Sequence, residues 1–239
     1  MKNVLLFFVV AASLAGCNKE ESASKTVEVQ VIEEFMPSES KQSYVTKSGI
    51  ELEVYDNFFI LEGDILLTEQ QVKELDEPDT RGAILNNNWP GGIVYYLFQN
   101  TRTSMFGGKE REKAYAAMNH YHEQTGVEFR HVSFKGSQYS MTDIVEKNFI
   151  HWVSSSSNSS SLGMVGGRQY INLVKDTGST VGTVIHELGH ALGLLHEQSR
   201  VDRDNYMNVD YNNIQSSKNI ILIEIRNRRV THRDLIIIR

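Results

Sequence analysis

The chain has a single cysteine, Cys17, among its 239 residues, which excludes an intrachain disulfide. It lacks a basic surplus: 24 Lys and Arg face 30 Asp and Glu, for a net charge of −6. No nucleic-acid recognition motif and no Gly-rich phosphate loop occurs, so nucleic acid is not expected as a partner. The apolar run at the start, Val4 to Ala12, is too short to span a bilayer as a mature helix. The far end is also poor in certain residues: no Met follows Met207 and no Tyr follows Tyr211.

The charge is unevenly spread. Residues 18–81 carry 16 Asp and Glu against 6 Lys and Arg, and residues 82–239 carry 14 against 17. An acidic front of net −10 therefore precedes a mildly basic body of net +3. Residues 18–30 are polar and charged without Gly or Pro, and read as a disordered tether. The rest of the acidic front reads either as a solvated linker or as a prosegment that docks on the body.

The decisive stretch is His186-Glu187-Leu188-Gly189-His190-Ala191-Leu192-Gly193-Leu194-Leu195-His196, which fits H-E-x-x-H-x-x-G-x-x-H. Positions four apart share a helix face, so His186 and His190 can offer two imidazoles to one Zn²⁺. Glu187 stands beside them as a candidate general base for a metal-activated water. His196 is six residues past His190, roughly 600° further around a continued helix, and so on another face. The helix must stop for the third imidazole to join the other two. Gly193 can supply the left-handed turn that stops it.

Elsewhere the patterning predicts an α+β domain. Ile93 to Phe98 is a buried-strand candidate. Lys109 to Gln124 predicts a helix with Ala114, Ala117, Met118 and Tyr121 on one face and Gly126 as its stop. Strands are expected over 127–134, 144–153 and 171–174. His120, His122, His131 and His151 fall on surface or packing positions. Ser154 to Ser161 is seven Ser and one Asn, and reads as a flexible loop. The active helix is expected to begin at Thr180 and run from Val181 to Leu195.

The residues after the histidines carry a family resemblance. His196-Glu197-Gln198-Ser199-Arg200-Val201-Asp202-Arg203-Asp204-Asn205-Tyr206 resembles the astacin signature H-E-x-x-R-x-D-R-D-x-Y. Gly82-Ala83-Ile84-Leu85 and Trp89 to Tyr96 look like the start of a mature astacin domain. Val165 to Leu173 is similar to the family's substrate-side edge strand. Leu61-Glu62-Gly63-Asp64-Ile65 resembles the F-x-G-D-I motif of astacin prosegments, with Leu in place of Phe.

This resemblance implies a metzincin-like zincin domain: a mixed twisted sheet, a helix and the zinc-binding helix. It implies one Zn²⁺ on His186, His190 and His196, with Glu187 as the catalytic base. Asp64 is then the prosegment's zinc switch. Cleavage between Arg81 and Gly82 by an activating protease frees a terminus that turns toward Glu197. The substrate is protein or peptide. The expected organisation is a signal peptide over 1–17, tether and prosegment over 18–81, an incomplete catalytic domain over 82–217 and an atypical tail over 218–239.

Leu14-Ala15-Gly16-Cys17 looks like a bacterial lipobox, which implies a lipid on the Cys17 thiol and attachment to a membrane through it. An ordinary signal peptide with an incidental cysteine is the alternative. The expected location is the outer membrane or surface of a bacterium, or the exterior after processing. At the other end, astacins carry a Met-turn, S-x-M-H-Y, tens of residues after the third histidine, and no such element follows here. Asn219 to Arg239 packs Ile and Arg densely without turn chemistry. A frameshifted or truncated end is the expectation, and a genuine strand or membrane-surface tail is the alternative. The lower subdomain is then largely missing. Two functions stay open on these residues: a latent zinc metalloendopeptidase, or an inactive surface lipoprotein that binds zinc or peptide.

Overall fold

The computed structural model describes residues 42–47, 49–55, 58–76, 88–100, 106–136, 140–175, 178–199, 203–208, 210 and 212. The upstream segment contributes strands β1 (Gln42–Val45), β2 (Glu51–Tyr55), β3 (Phe58–Leu61) and β4 (Ile65–Leu67), then helix α1 (Glu69–Asp76). The body contributes β5 (Ile93–Phe98), α2 (Gly108–Thr125), β6 (Glu128–His131), β7 (Phe149–Ser155), β8 (Ser159–Ser161), β9 (Arg168–Val174) and α3 (Val181–Ala191). Among the described residues the strands form one mixed sheet, ordered β1-β2-β3-β4-β8-β9-β7-β5-β6. This is the expected α+β architecture, with the zinc-motif helix packed against a second helix. No described helix is long and apolar enough to cross a membrane.

The strand pattern explains the main core. Val94, Tyr96 and Phe98 alternate along β5, Ile150 and Trp152 along β7, and Ile171 and Leu173 along β9, so all seven point to one face. β5, β7 and β9 pair in parallel. On their face lie Ala114, Ala117, Met118 and Tyr121 of α2 and Val184, Leu188 and Ala191 of α3. Removing each large apolar side chain from water contributes about 1.5–3 kcal/mol, which makes this layer the main support of α3.

A second core belongs mostly to the upstream segment. Ile50, Leu52, Leu61, Ile65, Leu67 and Val72 pack together, and the body supplies Leu162, with Leu195 against the edge. β1 to β4 form an antiparallel meander. β4 then joins the body by pairing in parallel with β8, Ile65 opposite Ser160 and Leu66 opposite Ser161. The Gln71 amide on α1 donates to the Leu162 carbonyl at 2.9 Å. The upstream segment thus adds its strands to the sheet and seals a seam beside the end of α3.

Two sequence expectations are corrected. Gln169–Leu173 is expected at the sheet edge, but β9 lies inside, parallel to β7 and antiparallel to β8. Ser154–Ser161 is expected as a flexible loop, but Ser154 and Ser155 end β7 and Ser159–Ser161 form β8, which is fully buried. Serine carries little strand signal. Here its small side chain fits between two strands, where the Asn172 amide donates to the Ser159 hydroxyl at 3.0 Å. Two strands are also placed differently from their expected spans: β6 covers only 128–131, and Phe134 instead forms a single antiparallel bridge to Ile144, ahead of β7.

Candidate metal centre

Helix α3 starts on a reciprocal cap. The Thr180 hydroxyl accepts from the Thr183 amide at 3.1 Å, and the Thr183 hydroxyl accepts from the Thr180 amide at 3.2 Å. Its far end is held by the Trp89 indole, which donates to the Ala191 carbonyl at 2.9 Å. Gly189 allows the close approach of α2: a methyl group there would lie 2.6 Å from the Tyr121 hydroxyl. That hydroxyl donates to the Ile185 carbonyl at 3.1 Å, one turn earlier on α3. Gly193 has φ +100°, so α3 closes in the left-handed turn that the spacing predicts, ending at Ala191 and not at the expected Leu195.

The turn brings the third imidazole back. His190 Nε2 and His196 Nε2 lie 3.0 and 3.1 Å from His186 Nε2. Asp64, from the turn between β3 and β4, faces all three: Oδ2 is 3.2 Å from His186 Nε2, and Oδ1 is 3.4 Å from His196 Nε2 and 3.9 Å from His190 Nε2. One ligand atom from each of these four residues falls within 4.8 Å of the others. The structure therefore joins a residue of the upstream segment to the three histidines across more than a hundred positions.

This donor set fits a zinc ion. Tetrahedral ligands at ordinary Zn–N lengths stand about 3.3 Å apart, close to the separations seen here. His190 Nδ1 lies 2.7 Å from the Leu194 carbonyl, which can only accept, so the ring's lone pair is left on Nε2. Asp64 Oδ1 is buried without a hydrogen-bond partner, and so is Glu187 Oε2. Unpartnered buried carboxylate oxygens are costly, and a cation offsets that cost.

The electrostatics follow from burial and crowding. Burial pushes the Glu187 carboxyl up, the Asp64 charge adds to it, and the two outweigh His196 to reach about 9. Burial also pulls His190 down, to about 4, against the raising effect of the Leu194 carbonyl and of Asp64. Burial lowers His196 too, but the Asp64 and Glu62 carboxylates on either side of its ring reverse this and raise it to about 9. For Asp64, burial acts upward, yet the His186 and His196 imidazoles beside it hold its carboxyl well below the usual carboxylate range.

Sequence reasoning gave Glu62 no role. Its Oε2 lies 2.5 Å from His196 Nδ1, and its other oxygen accepts from the Ser199 hydroxyl. Glu197 begins the short 3-10 turn Glu197–Ser199 and is exposed. Gln169, expected on the substrate side, is buried and instead braces the 163–165 loop, donating to the Gly163 carbonyl at 2.7 Å and accepting from the Val165 amide at 3.2 Å. Cys17, Arg81, Gly82 and the 218–239 tail lie outside the described residues.

The sequence is similar to known zinc metalloproteinases. The family model "Astacin (Peptidase family M12A)" matches residues 83–234, running past position 217. The chain is 36% identical over 161 residues to zinc metalloproteinase nas-4 of Caenorhabditis elegans, covering 65% of this chain and 46% of that one. It is 33% identical over 159 residues to zinc metalloproteinase nas-17 of the same animal, covering 65% of this chain and 33% of that one. The chain thus spans between a third and a half of the length of these curated relatives. Among solved structures, high choriolytic enzyme 1, a hatching enzyme zinc-protease from medaka, aligns over 60% of this chain and 65% of that one, with TM-score 0.46 and 26% identity.

Proposed function

From a chain that belongs to the astacin family, peptidase family M12A, we infer a zinc-dependent metalloendopeptidase made in a latent form. The observation that carries this reading is the convergence of His186, His190, His196 and Asp64 on one point, beside a buried Glu187. The three histidines would hold the ion through Nε2. Zinc bound there supplies Lewis acidity, which polarises a peptide carbonyl and acidifies a nearby water.

The chain's own groups do the rest. With a cation on the histidines and Asp64 withdrawn, the Glu187 carboxyl would be ionised, so that it could take a proton from the attacking water and pass it to the departing amine nitrogen. Asp64 occupies the face of the cluster on which water and the scissile carbonyl must stand, so the uncleaved chain is latent. Cleavage between Arg81 and Gly82 by another protease frees residues 18–81 as a prosegment. The new ammonium at Gly82 then pairs with Glu197, directly after the third histidine, as the family resemblance implies. Cys17 carries the lipid that tethers the precursor to a bacterial membrane surface.

One set of proteins tests the reading: the uncleaved chain, its Asp64→Ala variant and the Asp64→Ala/Glu187→Gln double variant. Asp64→Ala should hydrolyse a quenched peptide that the uncleaved parent leaves intact. The double variant should lose roughly 10²- to 10⁴-fold of that activity while binding one zinc per chain. An Asp64→Ala protein as silent as its parent would defeat the latency mechanism, and undiminished turnover in the double variant would remove Glu187 from its role.

A further inference from the structure

Glu62, Gly63 and Asp64 form the turn between β3 and β4. Glu62 has φ +55°, and it alone among the described non-glycine residues has a positive φ. A side chain held in that region costs free energy, and such residues persist where the surroundings dictate them. Here the surroundings are two polar contacts. Glu62 Oε2 sits 2.5 Å from His196 Nδ1, and Oε1 accepts from the Ser199 hydroxyl. The Glu62 side chain is 6% exposed.

Asp64 approaches the opposite side of the same ring, with Oδ1 3.4 Å from His196 Nε2. One three-residue turn therefore brackets one imidazole with two carboxylates. They act differently. Asp64 faces the ligand atoms. Glu62 faces away from them and reaches the site only through His196.

The other buried ligand offers a contrast. His190 takes its orientation from the Leu194 carbonyl, a partner within the body. His196 takes its orientation from the upstream segment. A ligand imidazole that donates its second N–H to a carboxylate is fixed in tautomer and ring angle and becomes a stronger donor to metal.

We propose that Glu62 is a positioning residue for His196, so that the upstream segment strengthens the metal site it covers. The segment then has two separate effects: Asp64 blocks the centre, and Glu62 helps it take and keep its ion before cleavage. This rests on the zinc-site reading above.

The test uses the full uncleaved chain, its Glu62→Gln variant and its Glu62→Asp variant. Zinc affinity is measured by competition with a chromophoric chelator, and melting temperature is measured with and without zinc. Both variants should bind zinc roughly 10- to 100-fold more weakly, as for loss of an outer carboxylate partner. The zinc-induced rise in melting temperature should shrink accordingly. A purely structural role for Glu62 would lower the metal-free and zinc-loaded curves together and leave that rise unchanged. Parental affinity in either variant, or an unchanged rise, overturns the proposal. A parent chain that binds no zinc overturns the metal centre itself, and the proposal with it.

Discussion

His190 Nδ1 lies 2.7 Å from the carbonyl oxygen of Leu194, four residues on and beyond the end of α3. An ordinary helical continuation would direct that carbonyl along the helix axis. The left-handed turn at Gly193 directs it at the ring. One glycine therefore ends the helix, returns His196 to the cluster and sets the tautomer of His190.

Gly193→Ala should disturb all three. A side chain at φ +100° costs about 1–3 kcal/mol, and relaxing the turn draws the Leu194 carbonyl off Nδ1. The expected outcome is a lower denaturation midpoint together with zinc binding weakened by roughly tenfold. Denaturant titration and chelator competition on one preparation check both. Parental zinc affinity at reduced stability would show that the turn does not orient the ligand.

Gly189→Ala tests the approach of the two helices. The added methyl meets the Tyr121 hydroxyl at 2.6 Å, so α2 or the Tyr121 ring must shift, at about 1–3 kcal/mol. Removing that hydroxyl beforehand should relieve part of the clash. In a Tyr121→Phe background the same change should cost at least 0.5 kcal/mol less, on the order expected for contacting residues. Strict additivity in the double-mutant cycle would place the strain elsewhere.

Leu52→Ala addresses the upstream core. Leu52 is fully buried among Ile50, Leu61, Ile65, Leu67, Val72 and Leu162. Deleting such a side chain costs about 2–5 kcal/mol, the lost transfer free energy plus a cavity. The uncleaved chain should unfold at lower denaturant, and limited proteolysis should cut the 42–76 segment sooner. Unchanged proteolysis would mean that the segment is held mainly by its strand pairing.

His151 predicts a pH effect away from the metal centre. Burial, with Arg168 adding to it, pulls the imidazole down to about 4, and its Nδ1 is buried without a hydrogen-bond partner. The folded chain thus favours neutral His151, while the unfolded chain takes a proton near pH 6.5. Between those values the unfolded state binds more protons. Stability is therefore full above pH 6.5 and falls as pH drops toward 4, by on the order of 3 kcal/mol at the lower end. His151→Phe should flatten this part of the profile measured by denaturant titration. An unchanged slope would assign the acid sensitivity to other groups.

The convergence of the three histidines was legible because their placement is local. Four-residue spacing, a capping threonine and a glycine before the third histidine act within seventeen residues, and the structure realises each of them. The sheet order was not legible. β8 is made of serines, whose strand pairing comes from neighbours on both sides and not from any alternating pattern of their own. The meander over 42–67 has turn-favouring residues at Ser48-Gly49 and Asp56-Asn57, but it stands in an acidic stretch whose composition equally suits a solvated linker. Glu62 stands in the quoted motif, yet its partner His196 is 134 positions away, and no local signal announces so distant a contact.

The parallel pairing of β4 with β8 has a consequence for solubility. Loss of the upstream segment strips four strands from the sheet and uncovers β8 as its new rim. A rim three residues long, built of Ser159, Ser160 and Ser161, offers few main-chain groups and no greasy side chains to a neighbouring molecule. Short, polar borders of this kind are poor templates for sheet-to-sheet association. The composition that hid this strand from sequence reading would thus also keep the cleaved protein from sticking to itself.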